Sequence, residues 1–273
     1  MSDIVLSAGV RSNLLALQQT SNLINTTQND LATGKRVNSA LDGAINFFTA
    51  QGLDTRANNL NNLLDSMSSA VNTIQAANNG ITSITKLVQS AQALVSQAQQ
   101  ANNTTTQASL ATQFNSLLTQ IGQLAGDSSF AGVNLLAGNT LTVTLNETGT
   151  STTTVTGVNY TNAANAPLSL ANATNNWVAA SDITAASTAL STALTSLQSE
   201  SQTLSSSVAT IQTRQDFTTA MVNTLQTGRD DLTLADSNQE GANLLALQTR
   251  QQLSSTALSL ASQADQNVLR LFR

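Results

Sequence analysis

Twelve apolar side chains, Leu60, Leu63, Met67, Ala70, Ile74, Ala77, Ile81, Ile84, Val88, Ala91, Val95 and Ala98, follow one another at steps of three or four residues. No step lands on a polar side chain. Alternating threes and fours keep a stripe on one side of an α-helix, whereas a strand needs a period of two. The stretch is therefore predicted to be one helix, roughly 60 Å long at the standard rise per residue. Such a helix is too long for a compact interior and suits a rod packed on a facing helix. Gly80, preceded by Asn78 and Asn79, is the weak point. With the stripe unbroken on both sides, it reads as a tolerated glycine. The chain holds a single proline, Pro167, so little else interrupts long helices.

The ends repeat the pattern. Val10, Leu14, Leu17, Ser21, Ile24, Gln28 and Leu31 form one stripe, and Leu253, Ala257, Leu260, Ala264, Val268 and Leu271 form another. Chain ends are usually polar and frayed unless something ties them down. These two are expected to pair with each other and then with further copies. After the long stripe, Asn102 to Thr106 reads as a turn. A second helix then carries Leu110, Phe114, Leu117, Ile121 and Leu124 to about Gly126, antiparallel to the first. Leu141, Val143 and Leu145 alternate with threonines, as a half-buried strand does, and Val155 and Val158 mark a second short strand. Helical spacing resumes at Ile183 and runs through Leu190, Leu194, Leu197, Leu204, Val208, Ile211 and Val222 to Leu225, weakened at Gln215 and Thr218. Gly228, Asp230 and Asp231 mark a junction before the last helix.

The predicted fold is mainly α. It is a long antiparallel helical hairpin, or coiled-coil rod, made by the N- and C-terminal halves, with a small β-containing insert. Composition agrees: 40% of residues are hydrophobic but only 3% aromatic. Cores of Leu, Ile, Val and Ala suit slender helix pairs. Only 9% of residues are charged, so helix flanks of Asn, Gln, Ser and Thr permit close neighbours without like-charge repulsion.

The chemistry available is narrow. Cys and His are absent, which excludes disulfides, thiol nucleophiles, imidazole acid–base catalysis and zinc sites of the usual type. No glycine-rich phosphate loop occurs and the carboxylates form no catalytic constellation. No catalytic, cofactor-binding or metal residue is assigned, and no enzyme or cofactor is expected. A net charge of −5 with two lysines, Lys35 and Lys86, argues against nucleic acid and against an anionic membrane. The first arginine is Arg11, and neither a continuous apolar signal region nor a membrane-spanning run is present. Taken alone, this reads as a cytoplasmic protein.

Three motifs, in order, change that reading. Leu31-Ala32-Thr33-Gly34-Lys35-Arg36-Val37-Asn38-Ser39-Ala40-Leu41-Asp42 resembles the N-terminal signature of bacterial flagellins. Phe130-Ala131-Gly132-Val133-Asn134-Leu135-Leu136 resembles the stretch where flagellins pass from the second core helix into β structure. Gln266-Asn267-Val268-Leu269-Arg270-Leu271-Phe272-Arg273 resembles the flagellin C-terminus, and Glu240, Asn243 and Leu244 fit the start of that signature. The resemblance spans the chain apart from the Thr140–Trp177 insert, which is small beside the outer domains of some relatives.

The resemblance implies a subunit of the flagellar filament, outside the cell, exported unfolded by the flagellum's own apparatus without a cleaved signal. Implied partners are further copies, the export apparatus and its chaperone, and hook-associated and cap proteins. It implies five segments: 1–42 and 232–273 as an inner helical layer, 43–139 and 179–231 as the halves of a rod, and 140–178 as an outward insert. The expected inner-layer contacts are Val10, Leu14, Leu17, Ile24, Leu31, Leu253, Leu260, Val268, Leu271 and Phe272. Gly34, Arg36, Asn38 and Asp42 are the expected joint between layer and rod. Two departures stand out. Phe47-Phe48 is bulky where relatives carry small residues, which implies altered packing at the base of the rod. Gln89-Ser90-Ala91-Gln92-Ala93-Leu94 lacks the charges of flagellins detected by the vertebrate innate receptor, so weak or no activation is expected. The alternatives are a flagellin-like hook–filament junction protein and, from a different class, a secreted coiled-coil adhesin or needle-type protein. The Ser39-Ala40-Leu41-Asp42 run follows the flagellin form rather than the junction form.

Overall fold

The computed structural model describes residues 8–271, with backbone only at positions 265 and 268–271. The described residues form five α-helices, α1 (Ala8–Thr33), α2 (Ala40–Gln100), α3 (Thr104–Asp127), α4 (Ala180–Thr233) and α5 (Ser237–Leu271), and, between α3 and α4 in sequence, two short strands, β1 (Thr140–Thr144) and β2 (Thr152–Thr156). A single 3-10 turn covers Thr174–Trp177. This is the mainly α fold with a small β insert expected from sequence. The chain forms two compact units. One holds the residues up to Arg56 and from Thr224, the other Ala57–Asn223.

In the Ala57–Asn223 unit, all twelve positions of the α2 stripe are buried, from Leu60 to Ala98. The facing helix is α4. The Gln215 side-chain amide donates to Ser68 Oγ at 3.0 Å, and the Ser201 hydroxyl to Asn78 Oδ1 at 3.2 Å. As numbers rise on α2 they fall on α4, so the pair is antiparallel. The α4 core face carries Ile183, Leu190, Ala193, Leu197, Leu204, Ile211 and Val222. The expected weak points do not break this helix, because Gln215 is held by α2 and Thr218 is itself buried. Nor does Gly228-Arg229-Asp230-Asp231 end it, since α4 runs on to Thr233. Its sparse charge is no obstacle. Thr184, Thr188, Ser191, Thr192, Thr195, Thr203, Ser207, Thr210 and Thr213 each donate to the carbonyl four residues earlier, satisfying their hydroxyls on the helix itself.

The expected turn after α2 is shorter than predicted. Asn103 caps α3 by accepting from Thr105 N at 2.7 Å, so residues 104–106 form the first helical turn. The buried face of α3 is Leu110, Ala111, Phe114, Leu118, Ile121 and Ala125, while Leu117 and Leu124 lie half-buried at its margin. Gly80 is more than tolerated. A Cβ there would lie 2.6 Å from Leu136 Cδ1, 2.8 Å from Ser128 Cβ, and closer still to Ser128 Oγ. The segment after α3 rests directly on the α2 backbone.

That segment contains the second flagellin-like motif. Phe130 and Val133 exchange backbone hydrogen bonds of 3.0 and 2.9 Å across a turn whose central residues, Ala131 and Gly132, have φ of 47° and 81°. Asn134 is buried with all of its amide used. Nδ2 donates to the α3-end carbonyls of Ala125 and Gly126, both at 2.8 Å. Oδ1 accepts from Leu136 N at 2.9 Å and Ala137 N at 3.1 Å. One side chain thus satisfies the open end of α3 and fixes the next turn. The strands pair antiparallel with Leu141 opposite Val155 and Thr142 opposite Thr154, and Val143 and Val155 point inward. Val158, expected within the second strand, lies beyond it and bonds to Leu135 O at 2.8 Å. Trp177 is fully buried against Phe114, ring centres 4.9 Å apart, and its indole N–H has no hydrogen-bond partner.

In the other unit, α1 packs along α5. Asp30, near the end of α1, senses the charge of Glu240 in the first turn of α5, so this pair is antiparallel as well. The buried positions of α1 are Val10, Thr20, Ile24, Thr27 and Asp30. Of the seven expected stripe positions, Val10 and Ile24 are buried and Leu17, Ser21 and Leu31 half-buried, whereas Leu14 and Gln28 are exposed and Thr20 and Thr27 are buried in addition.

Candidate assembly surface

Between α1 and α2 the chain turns through Gly34, whose φ of 68° is the left-handed conformation that closes helices at low cost in glycine. The turn is laced to the one between α4 and α5. Arg36 N and Val37 N donate to Thr233 O at 2.8 and 3.2 Å, and Ala235 N donates to Gly34 O at 3.0 Å. The Asn38 amide donates to Thr33 Oγ1 at 2.9 Å and Lys35 O at 3.1 Å, tying the turn to the end of α1. Arg36 contributes its backbone here and its side chain is exposed.

The start of α2 is a capping box. Ser39 Oγ accepts from Leu41 N at 3.2 Å, and Asp42 Oδ2 accepts from Ser39 N at 2.8 Å, Ser39 Oγ at 3.0 Å and Asn38 N at 3.1 Å. These donors, led by the Ser39 backbone N–H, hold the Asp42 carboxyl below its ordinary pKa. Asp30 moves the other way. Burial, then the nearby charges of Glu240 and Asp42, push it up. Ser39 was absent from the expected joint, although the Ser-x-x-Asp spacing carried that signal. A bend follows at Gly43, which leaves helical geometry at φ 171° and ψ 87°. Farther along, Arg229 on α4 bonds Asp54 at 3.0 Å and its neighbour Asp230 at 2.7 Å. Both pairs are open to solvent and contribute little to stability.

The same unit leaves large apolar side chains uncovered. Leu41 is 97% exposed and Ile45 83%, with Phe48 also exposed beside the edge of Phe47. Leu14, Leu15 and Leu23 on α1 are exposed too. On α5, Leu253 and Leu260 are 67% and 61% exposed, and Ala257 and Ala264 lie on the open side with them. Here the sequence expectation needs correcting. The half-buried positions of α5 are Leu244, Leu247, Gln251, Ser254, Leu258 and Ala261, a neighbouring stripe with the same three-and-four spacing. An apolar residue two positions away from another falls on a different helix face, so α5 carries two stripes. The expected one is left exposed while its neighbour faces α1. Phe272 and the side chains of Val268 and Leu271 lie outside the described residues.

Among the described residues no group of three metal-ligating side chains forms, and no helix is long and apolar enough to cross a membrane. Paired helices with exposed leucines on their outer faces offer surfaces for association. Residues 8–140 match the family described as the bacterial flagellin N-terminal helical region. The N-terminal part of the chain, just under half of its length, is thus similar to the bacterial flagellins. It is also similar to the crystal structure of Bacillus cereus flagellin, at 21% identity and a TM-score of 0.46, over 57% of this chain and 88% of that one. No curated protein matches it.

Proposed function

We propose that this chain polymerises with copies of itself into the extracellular filament of a bacterial flagellum, for swimming. It leaves the cell unfolded through the flagellar export apparatus, escorted by an export chaperone, and is added at the tip beneath cap proteins, on a base of hook-associated proteins. Residues 1–42 and 232–273 form the inner layer, 43–139 and 179–231 the rod halves, and 140–178 the outward insert. Gly34, Arg36, Asn38 and Asp42 serve as the joint between layer and rod.

The observation that carries this reading is the uncovered stripe on α5, Leu253 and Leu260, alongside the exposed leucines of α1. Buried apolar surface contributes about 25 cal/mol per Å², so several leucines left in water on neighbouring helices favour association. The order of events follows: the ends gain most of their burial only beside neighbours, so folding of the ends and addition to the filament are coupled.

Filament seeds mixed with the purified chain, imaged by electron microscopy beside a chain lacking residues 232–273, test the proposal. Long uniform tubes from the full chain alone are expected. Leu260→Asp should stop growth, because an unpaired carboxylate would have to leave water at a subunit contact. Normal tubes from Leu260→Asp would falsify the assignment of that face. Separate particles from both chains would favour a hook–filament junction protein or an adhesin instead.

A further inference from the structure

In the Ala57–Asn223 unit, the insert and α4 line an open recess of about 360 Å³ that contains none of the residues of the proposed assembly surface. Its floor includes Val158, Tyr160 and Pro167, and its wall is one face of α4 with Thr195, Ser196 and Glu200. The floor is fixed, since Val158 N and Tyr160 N donate to Leu135 O and Leu136 O, each at 2.8 Å. The wall is held in place by Leu197 and Leu204, both buried, one helical turn before and after Glu200 on α4. The recess is therefore preformed.

Two polar groups in it have no partner among the described residues. Glu200 is half-buried yet makes neither an ion pair nor a hydrogen bond, and burial raises its pKa. Tyr160 is almost wholly buried, its hydroxyl is unbonded, and the Glu200 charge acts on it. No basic side chain lines the recess. A partly desolvated carboxylate without a donor is costly unless something supplies a positive charge and hydrogen bonds. An alkylammonium group supplies both. Its three N–H donors suit a carboxylate, a phenol oxygen and a serine or threonine hydroxyl, and its alkyl chain suits Val158 and Pro167.

We propose that this recess is a binding site for a small alkylammonium compound, with Glu200 as the charge partner and the Tyr160 hydroxyl as a second acceptor. The proposal stands apart from filament assembly. Tyr160 is the only tyrosine in the chain, so carbon-13 labelling of tyrosine places one reporter ring in the site. The full-length chain, as monomer, would be titrated with 1,4-diaminobutane at neutral pH and followed by NMR. A saturable shift of the Tyr160 ring signals is expected. Glu200→Gln should weaken it tenfold or more at an unchanged melting temperature, and the uncharged 1,4-butanediol should give no saturable shift on the unaltered chain. Absence of saturation with the diamine, an equal response to the diol, or unchanged binding by a folded Glu200→Gln chain would each overturn the proposal. Because the diol comparison needs no substitution, the test survives a variant that fails to fold.

Discussion

Gly80→Ala should destabilise the Ala57–Asn223 unit, although alanine is the better helix former. Two effects of opposite sign compete. Replacing glycine inside a helix gains about 1 kcal/mol of intrinsic propensity. Against this, the new Cβ would meet Ser128 Oγ, Ser128 Cβ at 2.8 Å and Leu136 Cδ1 at 2.6 Å, all inside normal contact distance. Ser128 cannot swing aside freely, because its hydroxyl is bonded to Leu124 O at 2.7 Å and its Cβ is tied to the backbone. Leu136 is itself fully buried, so its displacement would press on the core around it. Overpacking of this kind costs about 1–3 kcal/mol, and two hindered neighbours place it near the top of that range. The net loss is then about 2 kcal/mol. With a shift of about 2–4 °C per kcal/mol in a unit of this size, the melting temperature should fall by about 4–8 °C, as followed by far-UV circular dichroism. Gly126→Ala is the control: it lies in α3, nothing stands within 4 Å of its added Cβ, and it should be neutral or slightly stabilising. A Gly80→Ala chain that melts at or above the unaltered temperature would refute the packing argument and return Gly80 to a merely tolerated residue.

Other substitutions probe the same logic. Asn134→Ala removes four hydrogen bonds made by a buried side chain, two of them to the carbonyls that close α3, so a loss of about 2–4 kcal/mol is expected in urea unfolding. Ser39→Ala removes the α2 cap and should cost about 1 kcal/mol, read as faster amide exchange in the first turn of α2. The carboxylates of the joint should show opposite pH slopes. Asp42, lowered in the folded chain, adds stability above the ordinary carboxylate pKa of 3.8, and this is lost as pH falls through its folded value. Asp30, raised in the folded chain, favours the fold most below 3.8 and loses that advantage as pH rises through its folded value. Melting curves across this range should show Asp42→Asn flattening the first slope and Asp30→Asn removing the second while raising stability at neutral pH; unchanged slopes would contradict both assignments.

The sequence by itself determined the elements with one uninterrupted stripe. From Leu60 to Ala98 every predicted core position is buried, because a helix with apolar residues on one face has only one face to bury. The threonine-flanked strand was legible for the same reason, through its period of two. The flagellin-like motifs at Leu31–Asp42 and Phe130–Leu136 were legible as patterns, but their physical content was not. That Ser39 and Asp42 cap a helix, and that Asn134 seals the end of α3, follows from backbone groups brought near them by folding. Tertiary structure alone chose between the two stripes of α5. Leu244, Leu247 and Leu258 repeat at helical spacing just as Leu253 and Leu260 do, so periodicity cannot say which faces α1. It also decided the meaning of Gly80, since helix propensity is local whereas the contact with Ser128 and Leu136 joins residues some fifty positions apart. Local pattern fixes which face of a helix is apolar. What that face meets depends on where the rest of the chain has gone.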